Sequence, residues 1–187
     1  MAVMTKKTLV QSFSRLLKQK PFKKITVQDI AEDCGVSRMT FYYHFKDIYH
    51  LLQWILENAL EKLFSDIENV AELDWREGCL RIFRFALQHK EYAKKLLPEM
   101  DQSELCLYLY RISCRFTSHM VTITQGEREI LETDKKFLVE NGAFCLIGTL
   151  LKWTYDGMLE EPEYIVARLG TLLESSTELA ITRMQVL

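Results

Sequence analysis

Residues 26 to 47 set capping residues, apolar helical spacing and one glycine in an order that few folds accommodate. Thr26 is a helix N-cap, and Asp29 follows three residues later, near the positive end of the helix dipole. Asp in place of Glu or Gln makes this an imperfect capping box. Val27, Ile30, Ala31 and Cys34 recur at helical spacing and give one apolar face. Ala31 is small, so a second helix can come close. Gly35 stands where the chain must turn through a left-handed conformation, which glycine adopts at least cost. Ser37 then caps a second helix from about Arg38 to His44. Two short helices joined by such a turn form a helix-turn-helix pattern.

The second of these helices is unlike a core helix. Phe41 and Phe45 fall on one face, four residues apart, and the remaining positions are mostly polar-tipped: Arg38, Thr40, Tyr42, Tyr43 and His44. Each has a use at a DNA groove. Arg38 can bond guanine in bidentate fashion, the Thr40 methyl can touch a thymine methyl, and a tyrosine hydroxyl can bond phosphate or a base edge.

Gly35-Val36-Ser37, Thr40-Phe41 and Tyr42-Tyr43-His44-Phe45-Lys46 together resemble the DNA-binding domain of the TetR family of transcriptional regulators, over about residues 5 to 60. The resemblance implies that Arg38, Met39, Thr40, Tyr42, Tyr43 and His44 face DNA while Phe41 and Phe45 are core. Arg38, Thr40 and Tyr43 are then expected to read bases, with Met39 against a thymine methyl. Thr26, Tyr42, His44 and Lys46 are expected to fix the backbone, and the cap Ser37 belongs to the same interface. One departure is visible. The family often carries Lys two residues after the position of Lys46, as a phosphate contact, and this chain has Ile48 there. More of the grip therefore falls on Tyr42, Lys46 and the basic first helix.

Charge is distributed to match. Residues 1–50 hold nine Lys or Arg and four acids, against a net charge of −2 for the 187 residues as a whole. A basic head on an acidic body suits a DNA reader whose body stays off the phosphates. The five cysteines are odd in number and contain no Cys-x-x-Cys pair, which fits reduced thiols and a cytoplasmic setting. Arg115 beside Cys114 is the one local basic neighbour that a redox-active thiol would want. No run of about 18 apolar residues offers a membrane span.

Three prolines, seven glycines and no alternating strand pattern give an all-α expectation. A three-helix DNA-binding head precedes a larger body of about six helices, nine in all. The first helix runs from about Thr5 to Gln19, with Leu9, Phe13, Leu16 and Leu17 buried. Pro21 ends it and Phe22 plugs the gap. Asp47 caps a long fourth helix whose apolar stripe runs from Ile48 and Leu51 to Ile67. It leaves the head and enters the body. The domain boundary is set by convention near residue 50: 1–50 for the DNA-binding domain, 51–187 for ligand binding and dimerisation. A fifth helix is capped by Asp74, a sixth ends at Pro98, and a seventh ends at Gly126. An eighth runs from about Asp134 to Gly157, and a ninth starts near Pro162.

The last two helices carry much apolar surface, with Gly142 and Gly148 allowing close approach. The family resemblance implies a four-helix bundle with a second copy, and a palindromic operator needs two heads. Phe144, Ile147, Leu151, Ile165, Leu169 and Leu172 are the residues expected at that homodimer interface. The aromatic-rich middle helices suggest a small-molecule effector pocket, with Phe83, Met100, Tyr108, Phe116 and His119 as its candidates. No His, Cys or acid cluster has metal-ligand spacing, and no cofactor is expected. No phosphate-binding glycine loop, Gly-x-Ser-x-Gly or isolated carboxylate pair suggests an enzyme. The expectation is a one-component repressor released from a palindromic operator by a small effector. Activation with a partner protein, or an interaction module without specific DNA binding, are the alternatives.

Overall fold

The computed structural model of this chain describes residues 2–65, 74–96 and 102–185. Every regular element among them is helical: α1 (Ala2–Gln19), a 3-10 turn (Phe22–Lys24), α2 (Val27–Cys34), α3 (Arg38–His44), α4 (Ile48–Ser65), α5 (Trp75–Gln88), α6 (Lys90–Leu96), α7 (Gln102–Gln125), α8 (Glu132–Tyr155) and α9 (Pro162–Met184). The fold is all-α, as the near-absence of proline and of alternating patterns requires. The chain divides into two compact units, residues 1–62 with 95–100 and residues 63–94 with 101–187. That division falls within α4, after Lys62. Ile67, Pro98 and Met100 lie outside the described residues.

In the first unit the buried stripe of α1 is Leu9, Phe13, Leu16 and Leu17, joined by Phe22, Ile25, Ile30, Ala31, Phe41, Phe45, Leu51 and Leu52. Phe22 packs edge-on against Phe13, with ring centroids 6.2 Å apart. The loop after α1 thus closes over the core just where Pro21 breaks the helix. Ser12 is fully buried and donates its hydroxyl to the Ile30 carbonyl at 3.1 Å, a polar tie from α1 to α2. On the rim of the same contact, Arg15 holds Asp33 through Nε at 3.1 Å and Nη2 at 2.5 Å. Exposed ion pairs of this kind contribute little stability, and they do settle where the charges point.

The core of the second unit draws on four helices. Trp75, Cys79, Ile82 and Phe83 come from α5, Phe116, Met120 and Val121 from α7, Leu146 and Trp153 from α8, and Ile165, Val166, Leu169 and Leu173 from α9. Two glycines let helices meet closely. A Cβ on Gly78 would stand 2.4 Å from Phe116 Cε1, and one on Gly142 would stand 2.9 Å from Thr117 Cγ2. Thr117 also donates to the Val139 carbonyl at 2.9 Å, so α7 and α8 are bonded as well as packed there. Gly148, expected to serve the same purpose, has nothing within 4 Å of such a Cβ.

One expectation about this unit needs correction. Ile165 and Leu169 belong to its core, and Ile147 is likewise buried. A side chain already covered within one chain has no surface to offer a second copy. Phe144 and Leu172 are exposed, and Leu151 is half-buried. Of the expected effector residues, the side chains of Phe83, Phe116 and His119 are described. Phe83 and Phe116 line one small void with Cys79, Ile112, Ser113, Leu146 and others, but His119 is not on its wall. The side chain of Tyr108 is outside the described set. The void measures about 20 Å³, room for about one water. The cysteines among these helices are free thiols; burial pushes Cys79 up to about 12, which keeps it protonated and unreactive. His119 is half-buried, and its Nδ1 is a buried polar atom with no hydrogen-bond partner among the described residues.

Candidate nucleic-acid interface

The interface is built on two caps and one turn. Thr26 Oγ1 accepts the Asp29 N–H at 3.1 Å, and Asp29 Oδ2 accepts the Thr26 N–H at 2.7 Å. The capping box closes on both sides with Asp, which the sequence pattern had marked as imperfect. The shorter side chain also accepts from the Thr26 hydroxyl at 2.7 Å and from Lys20 Nζ at 2.7 Å. Those donors, Lys20 first and then Thr26, hold the Asp29 carboxyl at about 2.

α2 ends at Gly35, which has φ +67° and ψ +32°. Gly35 N–H donates to Glu32 and Val36 N–H to Ala31, at 3.1 and 2.9 Å, the paired bonds of a Schellman turn. Ser37 then caps α3, accepting the Thr40 N–H at 3.1 Å. Ser37 and Thr40 also share a hydroxyl–hydroxyl bond of 3.0 Å. At the far end, Asp47 Oδ1 accepts the His50 N–H at 2.8 Å and His50 Nδ1 accepts the Lys46 N–H at 3.1 Å. The start of α4 is therefore tied to the end of α3 through both backbone and side chain.

This frame leaves α3 with two unlike faces. Phe41 and Phe45 are buried, with ring centroids 5.8 Å apart. Met39 is 77% exposed and Tyr43 80% exposed, far more than apolar and aromatic side chains in a small domain need to be. Arg38, Tyr42 and Lys46 are exposed too, while Thr40 and His44 are half-buried. The Arg38 guanidinium lies 6.0 Å from the Tyr42 ring centroid, and Tyr43 meets His44 edge-on at 5.0 Å. Seven of the nine candidate residues thus lie on or just beyond one short helix. Thr26 and Ser37 have their hydroxyls committed to caps, so their local role is to hold the two helices at their starts.

Several basic residues of this unit are engaged within it. Lys20 and Arg15 face the acids of α2, and Lys6 Nζ lies 5.7 Å from the Phe45 ring centroid and 5.3 Å from that of Trp54. Lys7, Lys18, Lys24, Arg38 and Lys46 are exposed. A run of cations in sequence does not show which ones acids of the same fold engage. Ser12 was missed for a related reason: one serine on an apolar face looks like any helix serine until its acceptor is known.

Among the described residues no cluster of His, Cys, Asp or Glu could hold a metal ion, and no helix is long and apolar enough to cross a membrane.

Two families match this chain. "Bacterial regulatory proteins, tetR family" matches residues 14–54, and "Transcriptional regulator C-terminal region" matches residues 73–175. A relative from Lactococcus lactis, the HTH-type dhaKLM operon transcriptional activator DhaS, is 27% identical over 95 residues, 51% of this chain and 50% of the relative. The HTH-type transcriptional regulator EthR of Mycobacterium tuberculosis is 31% identical over 90 residues, 44% of this chain and 42% of that one. The matched stretch therefore spans about half the length of these relatives or less. Among solved structures, "Dihydroxyacetone kinase operon activator DhaS" superposes with a TM-score of 0.69 at 18% identity, covering 98% of this chain and 99% of that chain. A TetR transcriptional regulator from Streptococcus agalactiae gives 0.61 at 23% identity, covering 92% and 94%. At those identities the likeness is one of fold.

Proposed function

Since this chain belongs to the TetR family of transcriptional regulators, we propose that it binds a palindromic operator as a homodimer in the cytoplasm. The observation that carries this reading is the exposed face of α3, where Arg38, Met39, Tyr42 and Tyr43 project from a helix whose other face is locked in the core. Arg38 and Tyr43 read base edges and Met39 meets a thymine methyl. Tyr42, His44 and Lys46 bind phosphates. Thr40 reads through its methyl group, because its hydroxyl already serves Ser37.

The pairing surface is the exposed stripe of α8 and α9. Phe137, Phe144, Leu151 and Tyr155 recur along α8 in steps of seven and four, and Tyr164, Leu172 and Leu179 stand out on α9. Gly148 lies within the α8 stripe. A helix-interior glycine costs up to about 1 kcal/mol relative to alanine, and among the described residues no atom comes within 4 Å of the space it leaves. A second copy crossing there gives that space a use.

Repression is the first reading of the sign: a dimer seated on an operator excludes other proteins from it. Activation is the second, and the Lactococcus relative named as an operon activator favours it. In either case, a small effector acts only if it binds one conformation better than the other. With room for about one water, the void of the second unit must widen to admit one.

Fluorescence anisotropy against duplexes selected from a random pool tests the reading. A preferred duplex with two-fold symmetry, bound with an affinity that falls steeply as salt rises, is the expected result. Equal affinity for scrambled DNA at the same salt points instead to a protein-interaction module. Transcription in vitro with the operator placed over, then upstream of, a promoter gives the sign.

A further inference from the structure

Resting on the DNA-binding reading above, we propose that Tyr49 is a further contact to the phosphate backbone, its hydroxyl held at the surface by Phe22. Tyr49 stands in the first turn of α4 and is 54% exposed, yet its ring is not loose. It meets Phe22 edge-on, with centroids 5.3 Å apart and planes at 73°. Phe22 meets Phe13 in the same manner at 6.2 Å and 84°, and Phe13 is a core residue of α1. Tyr49 is thus the outer end of a three-ring series whose inner end cannot move. The freedom of its side chain is already reduced, so little is left to lose when it binds.

The same ring contact joins two segments of this unit. Phe22 opens the 3-10 turn that leads into α2, so the contact sets the first turn of α4 against that turn. The turn carries exposed Lys24, two residues before the Thr26 cap, and Lys46 stands exposed three residues before Tyr49. The one acid between Lys46 and Tyr49 is Asp47, whose Oδ1 is occupied by the His50 N–H. A phenolic donor on a packed ring, in a stretch of chain that carries exposed lysines, suits a phosphodiester oxygen, and a phosphate contact carries no base preference. Ile48, next in the chain, is half-buried and has no polar atom to offer in its side chain.

The test is Tyr49→Phe, which keeps the ring and its packing on Phe22 and removes only the hydroxyl. Anisotropy is read on the duplex selected by the unaltered protein and on a scrambled duplex, across a salt series. The variant is expected to melt at the same temperature and to bind both duplexes more weakly by the same factor, roughly three- to tenfold. Its salt slope should match that of the unaltered protein, because phenol is neutral. Lys24→Gln should lower the slope by about one. Unchanged affinity in Tyr49→Phe overturns the proposal, and so does a loss confined to the selected duplex, which marks a base contact. If the unaltered protein itself prefers no duplex, the DNA-binding reading fails first, a result distinguishable from either of these.

Discussion

Arg38 and Tyr42 lie within cation–π distance on one turn of α3, yet their chemistry predicts different phenotypes. Arg38→Ala should relax the preference at one or two base pairs of a selected operator. Tyr42→Ala should weaken selected and scrambled duplexes alike, because a phosphate contact carries no base information. Competition anisotropy with single-base variants of the operator separates the two. Asp29 makes a prediction of another kind. Its carboxyl sits at about 2 against an ordinary 3.8, chiefly through Lys20 and then Thr26. A depressed carboxyl stabilises the fold fully above its ordinary value, and that contribution is lost as pH falls from about 3.8 through about 2. Asp33, Glu163, Glu174 and Glu178 are depressed as well, so urea melts taken from pH 5 down to pH 2 should show a smaller loss in Asp29→Asn than in the unaltered chain. The residue scale was also the most legible. Both caps, Gly35 and the buried pair Phe41 and Phe45 follow from short-range rules, and each is present. What short-range rules missed was the further donor on the Asp29 carboxylate, because Lys20 reaches it from just past the end of α1.

At the scale of elements, glycines divide by what stands above them. Gly78 packs beneath Phe116, and Gly148 beneath nothing among the described residues. Gly78→Ala should destabilise the second unit by about 1–3 kcal/mol, since Phe116 must shift to admit the methyl group. Gly148→Ala should raise helix stability by up to about 1 kcal/mol in the separated chain while weakening self-association. Chemical denaturation at low and high protein concentration reads both effects from one pair of experiments. Sequence inspection marked Gly142 and Gly148 as equivalent, because both interrupt the same apolar helix. It passed over Gly78, which lies on α5 among charged residues. Close approach is a property of two helices, and one helix's sequence carries only half of it.

At the scale of the molecule, the exposed stripe on α8 and α9 predicts assembly. Phe144→Glu or Leu172→Glu should yield a monomer by sedimentation with little change in melting of the isolated chain, because both side chains are exposed in it. Ile165→Glu should unfold the second unit instead, as a charge placed in its core finds no partner. DNA affinity should fall in the monomeric variants, since each would present a single head to a two-headed site.

The helical class, the two caps with their turn, and the two unlike faces of α3 were determined by the sequence, since all three rest on interactions within a few residues. Helical spacing alone could mark which residues of the last helices are apolar; it could not say whether a given one faces inward or outward. α8 is apolar on more than one side, and the placing of Ile147 inside and Phe144 outside depends on where α7 and α9 stand. The same holds for the aromatic middle helices. Phe83 and Phe116 could have walled an open pocket or filled a core, and only the packing of α5, α7 and α8 reduced the space among them to about one water. Local rules reach as far as one helix and its ends; which of its faces is covered is decided by helices distant in the chain.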